Sequence, residues 1–188
     1  MTKLFWPFAF ALLVLGTACV GDDDDDLPAI TRIGRADGWF VDAINSDYRA
    51  AFEQQLASVS DQALAERDTS RAGITAATLP RIEQATSVDD CDRDDTIFFL
   101  GNGAISVIEG AVACPAGEPS ITDFFDGNVF STDFAGTEFR LRRSDGTLVG
   151  DFAITRLDDS FVFRRTVSVQ DSVIGGYAYD LEFVLRER

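Results

Sequence analysis

The stretch that decides the fold is Cys91-Asp-Arg-Asp-Asp-Thr-Ile-Phe-Phe-Leu-Gly-Asn-Gly-Ala-Ile-Ser-Val-Ile-Glu-Gly-Ala-Val-Ala-Cys114. Asn102-Gly103 in its middle is a strong hairpin signal, because a type I′ turn needs two residues that tolerate positive φ. With those two as the loop, Leu100 faces Ile105, Phe98 faces Val107, and Cys91 faces Cys114. Opposed Cα atoms of an antiparallel pair lie about 4.5–5.5 Å apart, within the reach of a disulfide. The stretch therefore predicts a β-hairpin stapled at its open end by Cys91–Cys114, a closure that contributes about 3 kcal/mol in the chain-entropy account.

Beyond the hairpin, alternation continues. Phe139 and Leu141 alternate with Glu138, Arg140 and Arg142, and Asp145-Gly146 then turns the chain. A two-residue loop there pairs Phe139 with Phe152 on one face and Arg140 with Asp151 on the other, so core and ion pair separate in a single register. After Asp158-Asp159, the residues Phe161, Phe163, Val167 and Val169 follow at period two, and Tyr177, Tyr179, Leu181, Phe183 and Leu185 repeat the pattern. Upstream, Gly38-Trp39-Phe40-Val41 opens a first strand. The expected strands are 38–44, 95–101, 104–109, 128–134, 137–143, 147–156, 160–169 and 176–186. Eight strands, each with one apolar face and nearly all joined by hairpins, predict an all-β fold, an antiparallel up-and-down barrel whose closure removes the aggregation-prone edges. An open sandwich with a helix over one end is the alternative.

Between the first two strands lies a helical insertion. Ser46 or Asp47 caps a helix in which Tyr48, Phe52, Leu56, Val59 and Ala63 recur at helical spacing, running to about Arg67. A second helical piece spans Leu79 to Val88, with Pro80 in its first turn.

Residues 1–18 have signal-peptide anatomy: one basic residue, Lys3, then an apolar run from Leu4 to Leu15 that is short for a membrane span. Residues 19–35 contain Cys19 and the run Asp22–Asp26, which self-repulsion keeps solvated as a disordered tether. Residues 36–188 form the folded domain. The chain has 32 acidic and 16 basic side chains, a formal charge of -16. That balance disfavours nucleic acid and predicts a soluble domain that repels its own copies, hence a monomer. The absence of histidine excludes Ser-His-Asp and Cys-His catalysis and imidazole metal ligation.

Leu15-Gly16-Thr17-Ala18-Cys19 resembles a bacterial lipobox. The resemblance implies cleavage before Cys19, lipidation of its sulfur and an N-terminus acylated with chains of the palmitate class; more than one chain makes the anchor stable. The alternative is a secreted protein cut after Ala18. Val20 after the cysteine favours the outer membrane, on either its periplasmic or its surface face. The pattern Cys91-Asp92-x-Asp94-Asp95-x-x-x-Phe99, then Glu109-Gly110 and Cys114, together with Gly38-Trp39, is similar to the lipocalin-like domains of bacterial lipoproteins.

The candidates for chemistry reduce to two. Asp89, Asp90, Asp92, Asp94 and Asp95 surround Cys91, but an EF-hand reading fails where Asp95 stands in place of glycine and Gly101 in place of glutamate. These aspartates are expected to cap a strand entrance, with no metal or other cofactor. Arg165 shares parity with Phe161 and Phe163 and is expected either to anchor a ligand's acidic group inside the barrel or to reach water at a bulge or mouth. No nucleophile with a base emerges, so an enzyme is not expected. Two functions remain: a small hydrophobic or amphipathic ligand held among Trp39, Phe98, Phe139, Phe152, Phe163, Arg165, Tyr179 and Phe183, or a filled barrel acting as a structural or protein-interaction module.

Overall fold

The computed structural model describes residues 28–114 and 120–188. The signal segment 1–18, Cys19 and the acidic run Asp22–Asp26 lie outside the described residues. In order, the elements are α1 (Ala29–Ile33), β1 (Trp39–Ser46), α2 (Tyr48–Ser58), α3 (Asp61–Ala65), α4 (Arg71–Thr86), α5 (Asp90–Asp94), β2 (Thr96–Phe99), β3 (Ile105–Ile108), a short 3-10 turn (Ile121–Phe124), β4 (Asn128–Thr132), β5 (Glu138–Arg143), β6 (Leu148–Leu157), β7 (Ser160–Asp171) and β8 (Gly175–Glu187).

One eight-stranded sheet runs in the order β3-β2-β1-β8-β7-β6-β5-β4. All neighbours pair antiparallel. A single bridge, Ala104 to Val129, brings the outer strands together, and the Phe130 amide donates to the Gly103 carbonyl at 2.7 Å. The result is the expected up-and-down, lipocalin-like barrel, nearly closed, with helices inserted between β1 and β2. Its two thin seams flank the β2–β3 hairpin. β1 meets β2 at the Trp39–Ile97 pair, and β3 meets β4 at that one bridge.

Turn chemistry corrects the register of the hairpin. The Gly103 amide donates to the Leu100 carbonyl at 2.8 Å, the Leu100 amide donates to the Ala104 carbonyl, and Gly103 has φ 84°. Only glycine takes the left-handed position, so the loop has three residues, Gly101 to Gly103. The ladder pairs Phe99 with Ile105 and Ile97 with Val107, one residue away from the expected register. Asp145-Gly146 behaves alike: the Arg143 amide donates to the Thr147 carbonyl and Gly146 has φ 86°. There a bulge between Leu141 and Arg142 restores the expected pairs Phe139–Phe152 and Arg140–Asp151, the latter an ion pair at 3.2 Å.

The first helix of the insertion breaks into α2 and α3, because the Ser60 side chain accepts from the Ala63 amide and starts a new helix. α4 begins at Arg71, well before Leu79, with Ser70 as its cap, and Pro80 lies inside it, not in its first turn. The Ser70 cap and the alanines after it start the helix early enough to absorb the bond Pro80 forgoes. Residues 29–33, assigned to the tether from sequence, form α1. Its Ala29 and Ile33 are fully buried in the barrel core, so the folded domain includes this segment.

Two cores result. Within the barrel, Trp39, Ile97, Phe99, Phe130, Phe139, Leu141, Phe152, Phe161, Phe163, Phe183 and Leu185 belong to one buried cluster. The second is smaller. β7 and β8 run past the barrel as a two-stranded ribbon, paired without interruption to Asp171–Gly175. Phe52, Leu56, Leu64 and Ile82 from the helices pack there around Ile174 at its tip.

Candidate functional site

The barrel interior is where the predicted ligand-lining residues should meet. Trp39, Phe139, Phe152, Phe163 and Phe183 do meet there. Phe163 is the hub: its ring centroid lies 4.8 Å from Phe139, 5.2 Å from Phe152, 4.7 Å from Phe161 and 5.2 Å from Phe183. Trp39 packs beside Phe161, and its indole N–H donates to the Ile33 carbonyl at 2.6 Å, so its polar atom is satisfied within the core. Five residues distant in sequence thus converge because period-two alternation sends one face of every strand inward.

Phe98 does not join them. β2 buries Ile97 and Phe99 and leaves Phe98 partly exposed, its ring lying over Gly38. The inward parity of this strand is the opposite of that drawn from a two-residue Asn102-Gly103 loop. Tyr179 departs for another reason. It shares a face with Phe183, but it lies on the ribbon beyond the barrel, stacked 4.4 Å from Tyr48 of α2. Burial is the main cause that holds its hydroxyl above the ordinary tyrosine range.

Residues outside the predicted set fill the interior. Phe99, Phe130 and Phe161 close one part of it. Phe125, fully buried, enters from the segment between β3 and β4, with its ring 6.3 Å from Phe99, 6.2 Å from Phe163 and 5.9 Å from Phe183. Its neighbour Phe124 stacks on Phe183 at 5.3 Å. Since these two phenylalanines belong to a turn, no strand or helix period marks them in the sequence. Edge-to-face pairs at these separations carry about 0.5–1.5 kcal/mol each beyond the area they bury.

Arg165 points inward with Phe163, as expected from parity, and its guanidinium is partly committed to the protein. Nη1 donates to the Val149 carbonyl at 3.0 Å, and the group lies 5.1 Å over the Phe152 ring. The β6–β7 ladder ends at Ala153–Arg164, so this side chain bridges strands that have begun to separate. A groove of about 350 Å³ opens there, lined by Asp151, Ala153, Arg164, Arg165, Thr166 and Asp180.

The aspartates around Cys91 have structural work. Asp89 and Asp92 form a reciprocal cap on α5. Buried Asp92 accepts from the Ser120 hydroxyl at 2.7 Å and the Ile121 amide at 2.8 Å. Buried Asp95 accepts from the Gly110 amide at 2.9 Å and the Thr122 hydroxyl at 2.7 Å, and Asp94 accepts from the Val112 amide at 2.8 Å. Each charge-assisted bond of this kind contributes about 1.5–3 kcal/mol when buried. Together with the Cys91–Cys114 disulfide, at a Cα separation of 5.2 Å, they tie α5 to the chain on both sides of residues 115–119, and so hold Phe124 and Phe125 in place. The staple is present as expected, but it joins a helix to a loop rather than two strands. Cys91, Asp92 and Cys114 lie within 4.8 Å of one another, yet both sulfurs are consumed by the disulfide, leaving one carboxylate.

No family model, curated protein or solved structure matches this chain.

Proposed function

We infer that this protein is an exported, lipid-anchored component of a bacterial cell envelope whose barrel is a filled, non-catalytic scaffold. Cys19 carries the anchor, the aspartate run 22–26 holds the domain off the bilayer, and the outer membrane is its site. The observation that supports the scaffold reading is the occupation of the barrel interior by Phe125, packed against Phe99, Phe163 and Phe183. A carrier of this strand number has room for one small ligand at most, and here side chains take that room. Function then resides on the outer surface, in what the folded domain presents to other macromolecules.

Native purification of the full chain from membranes, followed by intact-mass and lipid-extract mass spectrometry, tests both parts. The expected result is a chain beginning at an acylated Cys19 with no stoichiometric free lipid. One lipid molecule per chain would overturn the scaffold reading in favour of a carrier. An unacylated chain cut after Ala18 would overturn the anchor.

A further inference from the structure

The ribbon formed by β7 and β8 has two long edges, and the molecule treats them differently. Along β8 the edge is covered. The Asp180 amide donates to Asp47 Oδ1 at 2.6 Å, Ser46 donates to the Asp180 carbonyl at 2.9 Å, and Gln55 donates to the Ile174 carbonyl at 2.6 Å. Along β7 the ladder to β6 ends at Arg164; beyond it β6 diverges, with Arg165 reaching across to the Val149 carbonyl, and among the described residues no strand is paired with Thr166–Asp171 on that side. Exposed strand edges are ordinarily blunted by proline, lysine or a bulge. This segment, Arg165-Thr-Val-Ser-Val-Gln-Asp171, contains neither residue, and its ladder to β8 has no bulge.

The segment is also complementary to itself. Placed antiparallel against its own copy with Ser168 on the axis, Arg165 faces Asp171, Thr166 faces Gln170, and Val167 faces Val169. Each opposed pair shares a face of the strand, and within Thr166–Gln170 polar meets polar and β-branched meets β-branched, the combinations that stabilise antiparallel pairs, while Arg165 stays bonded to Val149 and Asp171 to the Val173 and Ile174 amides. A shift by one residue opposes Val167 to Gln170 or Thr166 to Val169, which mixes polar with apolar residues and sets the inward face of one ribbon against the outward face of the other. The segment carries one charge of each sign within a chain whose formal charge is -16, so this edge escapes the repulsion that separates the remaining surfaces.

We propose that the unpaired edge of β7, Thr166–Gln170, is a dimerisation surface that pairs antiparallel with the same edge of a second copy about a two-fold axis at Ser168. The contact is isologous and closes after two copies, which joins the ribbons into one continuous four-stranded sheet, β8-β7-β7-β8. It sets aside the monomer expected from net charge. It does not depend on what fills the barrel, so it stands or falls separately from the scaffold reading.

Register gives the test. In the proposed dimer two copies of residue 168 oppose each other at about 4.5–5.5 Å between Cα atoms, within disulfide reach, whereas two copies of residue 166 are displaced by about 13 Å along the strands. Both side chains are exposed on the outer face of β7. The full chain carrying Ser168→Cys or Thr166→Cys is oxidised in intact cells with copper phenanthroline and dissolved oxygen, then resolved on non-reducing gels. Ser168→Cys should form a covalent dimer at least about tenfold faster than Thr166→Cys, a margin set by that geometry. Purified wild-type chain should sediment as a dimer and Ser168→Lys as a monomer that still melts cooperatively, because two ammonium groups then meet on the axis, and the melting temperature should depend on concentration only in the wild-type chain. Equal cross-linking of the two cysteine variants, or wild-type chain that stays monomeric up to about 100 µM, the weak end of specific association, would overturn the proposal. Either result would leave the edge to an extended segment of another protein or of the chain's own N-terminal region.

Discussion

The barrel core and the ribbon core are built from the same two strands, β7 and β8, yet they differ in kind. In the barrel, Phe161, Phe163, Phe183 and Leu185 are enclosed on all sides by strands and by the Phe125 plug. Four or more residues further along the same faces, Val167, Val169, Tyr177 and Tyr179 are only half-buried, and Tyr48 of α2 packs against the two tyrosines. One periodicity therefore serves two environments, and the enclosing partners decide how much each position stabilises. Regions with fewer buried apolar contacts open first, so the helices and the ribbon tip should form a unit of lower local stability than the barrel.

Spectroscopy can separate the two. Trp39 reports the barrel, and the other tryptophan, Trp6, lies in the N-terminal segment. All three tyrosines, Tyr48, Tyr177 and Tyr179, stand in one stack on the ribbon. The largest effect is expected for Phe163→Ala. Removing a fully buried ring at the hub of the aromatic network should cost about 3–5 kcal/mol, the range for Phe to Ala in a core. Denaturant melts should show the tryptophan and tyrosine signals falling together, since the ribbon has no support once the barrel opens. A loss under about 1 kcal/mol would mean that the interior readily collapses into the space.

A smaller and more local effect is expected for Leu64→Ala in α3, which packs in the second core with Phe52, Leu56 and Ile82. The expected cost is about 2–3 kcal/mol, at the low end for Leu to Ala because partly exposed neighbours can close the gap. Here the tyrosine signal should melt first and the Trp39 signal later. Coincident transitions would erase the distinction between the two regions and make the protein a single cooperative unit.

The strands were legible because alternation is a property of the chain itself: β1 and β4 to β8 lie where the apolar faces place them, and the pairing of Phe139 with Phe152 follows. What escaped depends on geometry no short stretch contains. Asn102-Gly103 announces a turn but does not fix its length, and the extra loop residue reverses the reading of Phe98. Tyr179 has the right parity, but where the barrel ends along β8 depends on how far β1 and β6 extend beside it. Phe125 lies in a turn without periodicity, and only the carboxylates of Asp92 and Asp95, gripping Ser120, Ile121 and Thr122, reveal why it is held inside. Those aspartates were noticed for their charge, while their use as clasps depends on chain that returns nearly thirty residues later.

The finest test of the comparison is alkaline titration. Burial, and then the hydrogen bond that the Tyr177 hydroxyl donates to Tyr48 at 3.2 Å, hold Tyr177 well above the ordinary tyrosine range. Tyr179 is raised too, by burial and by Tyr48, with Arg165 pulling the other way. A tyrosine in the unfolded chain ionises near pH 10. Protonated Tyr177 and Tyr179 therefore contribute stability that is fully present below that pH and is lost as the pH rises above it, because the unfolded chain releases protons that the folded state retains. The tyrosinate absorbance of Tyr177 and Tyr179 should appear only as the ribbon core opens, above pH 10, while Trp39 fluorescence keeps its folded value over the first part of that rise. Ionisation of Tyr177 and Tyr179 near pH 10 with the helices intact would place their hydroxyls in water, and the second core would then be a surface apposition with little hold on the ribbon.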